Sequence, residues 1–190
     1  VAIDDDPVPE PVLTFYAAAS LGASVAFGPP GAIRDETRAL VVPAADVGEY
    51  SVGPATKRVV YGDRPADPSV SYFERDVWSE NPTEPPDHVD PTGTLLVTES
   101  ARYSHEGILT AAETVVDEYG IDSTDRVTVA GSFTEAGVVV AGLVAPIFEG
   151  ANMYELTGEG QRYLEGELDA AKHIERPNPH AVQKSNTVMK

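Results

Sequence analysis

Apolar residues along the chain fall into two patterns: continuous runs of three to five, and longer stretches in which they recur every three or four positions. Ser24-Val25-Ala26-Phe27, Arg38-Ala39-Leu40-Val41-Val42-Pro43 and Arg58-Val59-Val60-Tyr61 are of the first kind and predict buried, parallel strands. Ahead of them, Pro11 to Leu21 starts on a proline, continues through helix formers and stops at Gly22, which predicts a helix. The second half repeats the alternation. Thr94 to Thr98 reads as a strand, and His105 to Tyr119 as a helix with Ser104 as its N-cap and Gly120 as its stop. Arg126 to Ala130 is the next strand. Thr134 to Phe148 carries Ala136, Val139, Val140, Leu143, Val144 and Ile147, apolar over most of its circumference, which predicts a deeply buried helix ended by Gly150. Ala151 to Leu156 is a last short strand, and Gln161 to Ile174 an amphipathic helix.

Strands alternating with helices specify an α/β fold, a mostly parallel sheet flanked by helices. The expected organisation is one domain over residues 1–174, with a Pro-rich irregular region at 63–93 broken only by Val70 to Trp78, and an extended or disordered tail at 175–190. No internal repeat is present. With 42% hydrophobic residues in 190, the chain can build one continuous core without staples.

Charge changes this picture more than composition does. Asp and Glu number 31 against 13 Lys and Arg, a net charge of -18, and only Lys57, Lys172, Lys184 and Lys190 are lysines. Carboxylates spread along the whole chain repel one another at low ionic strength, and molar salt shortens the Debye length to about 3 Å, which removes most of that repulsion. The pattern is that of a halophilic acidic protein. Nucleic acid and anionic membranes are poor partners for such a field. No apolar run is long enough to span a bilayer, so a soluble, cytoplasmic protein is expected.

Local chemistry is sparse. There is no cysteine, which excludes disulfides, thiolate metal sites and cysteine nucleophiles. His88, His105, His173 and His180 lie at no metal-ligand spacing from one another, and no metal or cofactor is expected. Ser104-His105-Glu106 contains the residue types of a nucleophile, base and orienter, but sequence neighbours at a helix start point apart and cannot form a triad. A cap with a first-turn carboxylate is the simpler reading. Gly28-Pro29-Pro30-Gly31 has two residues without an N–H and makes a poor phosphate cradle. No residue is assigned a catalytic role.

Several blocks occur in a specific order: Leu95-Leu96-Val97-Thr98, then Ser104-His105-Glu106-Gly107-Ile108-Leu109, then Thr124-Asp125-Arg126-Val127, then Gly137 to Gly142-Leu143-Val144-Ala145-Pro146-Ile147-Phe148-Glu149-Gly150-Ala151. Upstream, Pro9-Glu10-Pro11 leads through an Ala-rich stretch to Leu21-Gly22-Ala23. In this order the blocks resemble the adenylate-forming superfamily of acyl-CoA synthetases, luciferases and peptide-synthetase adenylation domains, and specifically an N-terminal subdomain of such enzymes. The resemblance implies a strand, a phosphate loop rich in Ser, Thr and Gly that ends in Pro-Lys-Gly, and a Ser-His helix start. Here only Glu99-Ser100-Ala101-Arg102-Tyr103 stands between strand and helix, with neither glycine nor lysine, and Glu99 would repel ATP phosphates. Thr134 stands where members often have a His after the Phe that corresponds to Phe133. The later adenosine-binding and aspartate motifs and the catalytic lysine have no counterpart in the sequence.

Adenylation needs an anchored triphosphate and charge neutralisation at the transferring phosphorus, each contributing several kcal/mol. The expected function is therefore a non-catalytic synthetase-like binding or assembly module, paired with itself as a homo-oligomer or with a full-length synthetase-like protein. The alternative is a residual small-ligand protein or enzyme that takes an acyl group, CoA or nucleotide beside Thr98, Ser100, Ser104, His105 and Phe133.

Overall fold

A computed structural model describes residues 1–79, 84–129, 131–154 and 182–184. These fall into two compact units, Val1–Glu106 and Gly107–Lys190.

The first unit is built on a five-stranded parallel sheet. Its strands are β1 (Ala2–Ile3), β2 (Ala26–Phe27), β3 (Ala39–Pro43), β4 (Lys57–Tyr61) and β5 (Ser71–Tyr72), in the order β2-β1-β3-β4-β5. In register, Ala2 lies opposite Ala26 and Leu40, Leu40 opposite Arg58, and Val60 opposite Tyr72. Leu40, Val41 and Val42 are all buried, as an interior strand covered on both faces requires. One face gathers Ala2, Leu40, Val42 and Val60 with Ile33 and Val70. The alternation of side chains puts Ile3 and Val41 on the other.

That second face receives α1 (Pro9–Ser20), whose Pro11, Phe15 and Ala18 recur at helical spacing and are buried. Phe15 meets Phe27 with ring centroids 5.8 Å apart. The helix ends as its glycine foretells, with Gly22 at φ 69°.

Within the Pro-rich region, the interruption expected at Val70 to Trp78 is a strand and a helix. Ser71–Tyr72 pairs in parallel with Val59 and Val60, and α2 (Phe73–Ser79) follows directly. Buried Val70 and Phe73 anchor this addition to the sheet. Next come β6 (Thr94–Val97) and β7 (Arg102–Ser104), an antiparallel pair. Val25, directly before β2, bridges in parallel to Leu96 of this pair.

Helix α3 (His105–Tyr119) buries His105, Ile108, Ala112 and Val115, one stripe of an i, i+3, i+4 pattern, and stops at Gly120 with φ 59°. In the second unit β8 (Arg126–Val129) lies between β9 (Asn152–Tyr154), parallel to it, and β10 (Val182–Lys184), antiparallel to it. A helical run follows β8: α4 (Ala136–Val139), a π turn over Val140–Val144, and α5 (Ala145–Phe148). Pro146 has no N–H to donate and its ring crowds the carbonyl four residues back, which gives the ladder reason to widen just before it. Val138 to Leu143 and Ala145 are buried as their composition requires, whereas Ile147 and Phe148 in the last turn are 52% and 46% exposed. The helix expected at Gln161 to Ile174 lies outside the described residues, as does most of the tail.

Candidate functional site

In the resemblance, the phosphate loop belongs between Thr98 and Ser104. The structure fills that interval with the turn of a β-hairpin. Val97 pairs with Arg102, Leu96 with Tyr103 and Thr94 with Ser104, which leaves Thr98 to Ala101 to reverse the chain. The Thr98 amide donates to the Ala101 carbonyl at 2.9 Å. Thr98 Oγ1 accepts the Ala101 amide at 3.1 Å and lies 3.4 Å from Ser100 Oγ. Glu99 and Ser100 are exposed at the tip.

The polar groups of Thr98 are thus committed to the turn itself. A phosphate cradle needs several amides directed at one point, and here the amides of Thr98 and Ala101 bond within the hairpin. Glu99 adds a carboxylate to the same tip.

Ser104 ends β7 opposite Thr94 and so takes part in the strand pairing that leads into α3. His105 is the first residue of α3 and is buried, 9% exposed. Its amide donates to the Gly93 carbonyl at 3.0 Å, and the Glu106 amide to the Pro91 carbonyl at 2.9 Å. The imidazole Nε2 is buried and has no hydrogen-bond partner. Burial holds the ring below its ordinary pKa, against a smaller opposing pull from Asp90.

The structure therefore brings Thr98 and Ser100 together in one turn, and places Ser104 and His105 at the far end of β7. Phe133 belongs to the second unit, where it is fully buried at 1% exposed. Ser132 and Thr134 share a hydroxyl hydrogen bond across it.

Sequence reading did not assign the segment Asp90-Pro91-Thr92-Gly93, whose carbonyls hold the start of α3. Its signal was the turn chemistry: Asp90 Oδ1 accepts the Thr92 amide at 2.9 Å and its hydroxyl at 2.8 Å, and the Gly93 amide donates to the Asp90 carbonyl at 3.0 Å. Asp125 does comparable work in the second unit. Buried at 5% exposed, it accepts the Asp122 amide at 2.8 Å and closes the turn into β8, a structural use for the aspartate of Thr124-Asp125-Arg126-Val127.

A second polar grouping lies at the carboxyl ends of β1 and β4. The hydroxyl of buried Tyr61 is 3.4 Å from Asp4 Oδ2 and 3.5 Å from Asp6 Oδ2. Burial, then the two aspartates, raise the Tyr61 pKa, and burial followed by Asp6 raises that of Asp4. Among the described residues no three His, Asp or Glu side chains are grouped so as to hold a metal ion, and no helix is long and apolar enough to cross a membrane.

No family model and no curated protein matches the sequence. Solved structures match the fold. An anthranilate CoA ligase, AuaEII, in complex with anthranoyl-AMP is 17% identical with a TM-score of 0.64, over 92% of this chain and 38% of that one. A protein described as a long-chain-fatty-acid CoA ligase from Rhodopseudomonas palustris is 14% identical with a TM-score of 0.66, over 90% of this chain and 48% of that one. A malonyl-CoA ligase with methylmalonyl-CoA and AMP bound is 18% identical with a TM-score of 0.58, over 86% of this chain and 37% of that one. The chain spans less than half the length of each of these proteins. Its α/β fold is shared with part of each of these CoA ligases, and it has a tight hairpin where the resemblance calls for a phosphate loop.

Proposed function

We propose that this chain is a non-catalytic relative of the adenylate-forming ligases, a folded module for binding or assembly in a high-salt medium. The observation that carries the proposal is the closed turn from Thr98 to Ala101, whose polar groups bond to one another and whose tip bears Glu99. A loop that neither wraps nor neutralises a triphosphate leaves the adenylation barrier without its largest electrostatic contribution. The test is release of pyrophosphate from ATP with malonate, anthranilate and long-chain fatty acids, in molar salt with magnesium. Turnover no higher than a protein-free control is expected, and accumulation of an acyl-adenylate overturns the proposal.

Exposed Ile147 and Phe148, adjacent at the end of an otherwise buried helix, support assembly with a second copy of the chain. Light scattering in molar salt is expected to show an oligomer that Phe148→Asp dissociates. A wild-type monomer at high protein concentration removes this part of the reading.

Retention of acyl, CoA or nucleotide binding is the second reading, favoured by the strand end and helix start that survive around the hairpin. Thermal shift with ATP, AMP, CoA and carboxylates separates the two. A saturable response that Ser100→Ala or His105→Leu abolishes favours retained binding.

A further inference from the structure

His105 carries an unused polar atom. Its Nε2 is buried without a partner, and the ring begins α3, where the helix dipole presents partial positive charge. The segment Asp90–Gly93 lies directly on this position. Gly93 and Pro91 accept the first two amides of the helix, and a Cβ built on Gly93 would stand 3.9 Å from the His105 Cδ2.

We infer that His105 is a pH-sensitive latch, within the first unit, between the start of α3 at His105 and Glu106 and the Asp90–Gly93 segment, closed while the imidazole is neutral and opened by its protonation. A neutral ring tolerates the position with one unsatisfied nitrogen. An imidazolium there needs an acceptor at Nε2, and a buried cation without one is strongly disfavoured. The charged groups around the ring do not supply it. Asp90 acts on it from the covering segment through charge alone, since neither of its oxygens is hydrogen-bonded to Nε2 and its Oδ1 takes two bonds from Thr92, and His88, a further titratable group, acts on Asp90. Glu106 is exposed on the next position of α3. The simplest relief is for the segment to leave, which hydrates Nε2 and frees the amides of His105 and Glu106.

The direction follows from linkage. A base whose native pKa lies below its unfolded value of 6.5 leaves the closed form at full stability above that pH. Stability of the closed form then falls as pH drops from 6.5 through the depressed native value. The latch goes beyond the proposed function and stands whether or not the chain binds a ligand.

Hydrogen exchange of the full chain in molar salt, read by mass spectrometry and corrected for intrinsic rates, tests it. Between pH 7.5 and pH 5, protection of the peptide covering residues 90–107 is expected to fall at least tenfold relative to that covering 39–43. In His105→Leu it is expected to hold within twofold. Equal loss in both proteins overturns the latch. Should the variant not fold, wild-type protein decides alone: protection of residues 90–107 that persists to pH 4 overturns it, and loss in step with charging of the His105 ring by NMR upholds it.

Discussion

Gly142 shows how one residue settles a packing distance. A Cβ at this position would lie 2.8 Å from Val129 Cγ2 and 3.1 Å from Cγ1, so the π turn sits against β8 only because no side chain intervenes. Val129 is β-branched and buried, and cannot swing aside. Alanine favours a helix by up to about 1 kcal/mol over glycine, but the clash is larger. Gly142→Ala is expected to destabilise by about 1 to 3 kcal/mol in denaturant unfolding, and Val129→Ala in the same chain to recover part of that loss. In the first unit, the raised Asp4 pKa means that the native state holds its proton more tightly than the unfolded state. Stability then declines as pH rises from 3.8 through the native value. Asp4→Asn keeps an acceptor for Tyr61 and removes the charge, so it is expected to raise the thermal midpoint at pH 7 and to leave it unchanged at pH 3.

At the scale of elements, the hairpin of β6 and β7 is the informative feature. Thr94 to Thr98 was legible as a strand from Leu95, Leu96 and Val97, and the shortness of the link to Ser104 was legible too. That Arg102–Ser104 would itself be a strand was not, because three residues with one aromatic carry no periodicity. Its pairing depends on a turn that Thr98 closes. Thr98→Val removes the Oγ1 contacts to Ala101 and is expected to cost about 1 kcal/mol, read as a lower denaturation midpoint of the first unit. Helix boundaries were more readable than strand order. Gly22, Gly120 and Gly150 all adopt positive φ where helices were expected to stop. β1, two residues long, was invisible as a strand, yet it lies between β2 and β3 in the sheet.

At the scale of the whole molecule, charge dominates. The ion pairs of Arg58 with Asp67 at 3.4 Å and Arg75 with Asp76 at 2.5 Å both lie on the surface, against a net charge of -18 for the chain. Pairs of this kind contribute little, so relief of repulsion has to come from the solvent. Raising NaCl from about 0.1 M to about 2 M is expected to lift the thermal midpoint by at least ~2 °C, the low end of the shift that about 1 kcal/mol produces in a chain of this size. A flat or falling midpoint contradicts salt adaptation.

The sequence by itself determined the alternation of strands and helices, the glycine stops, the acidic character and the shortness of the link from Thr98 to Ser104, which lacks glycine and lysine. These are local properties, carried by periodicity, turn chemistry and residue inventory. Only the tertiary structure decided that Ala2–Ile3 sits inside the sheet, that the shortened loop closes as a hairpin, that Phe133 is buried and that Asp90–Gly93 covers His105. Each of these depends on which segments meet, whether nearby as in the hairpin or far apart as in the sheet, and that is set by the burial of apolar faces and the completion of backbone hydrogen bonds rather than by any one segment's pattern.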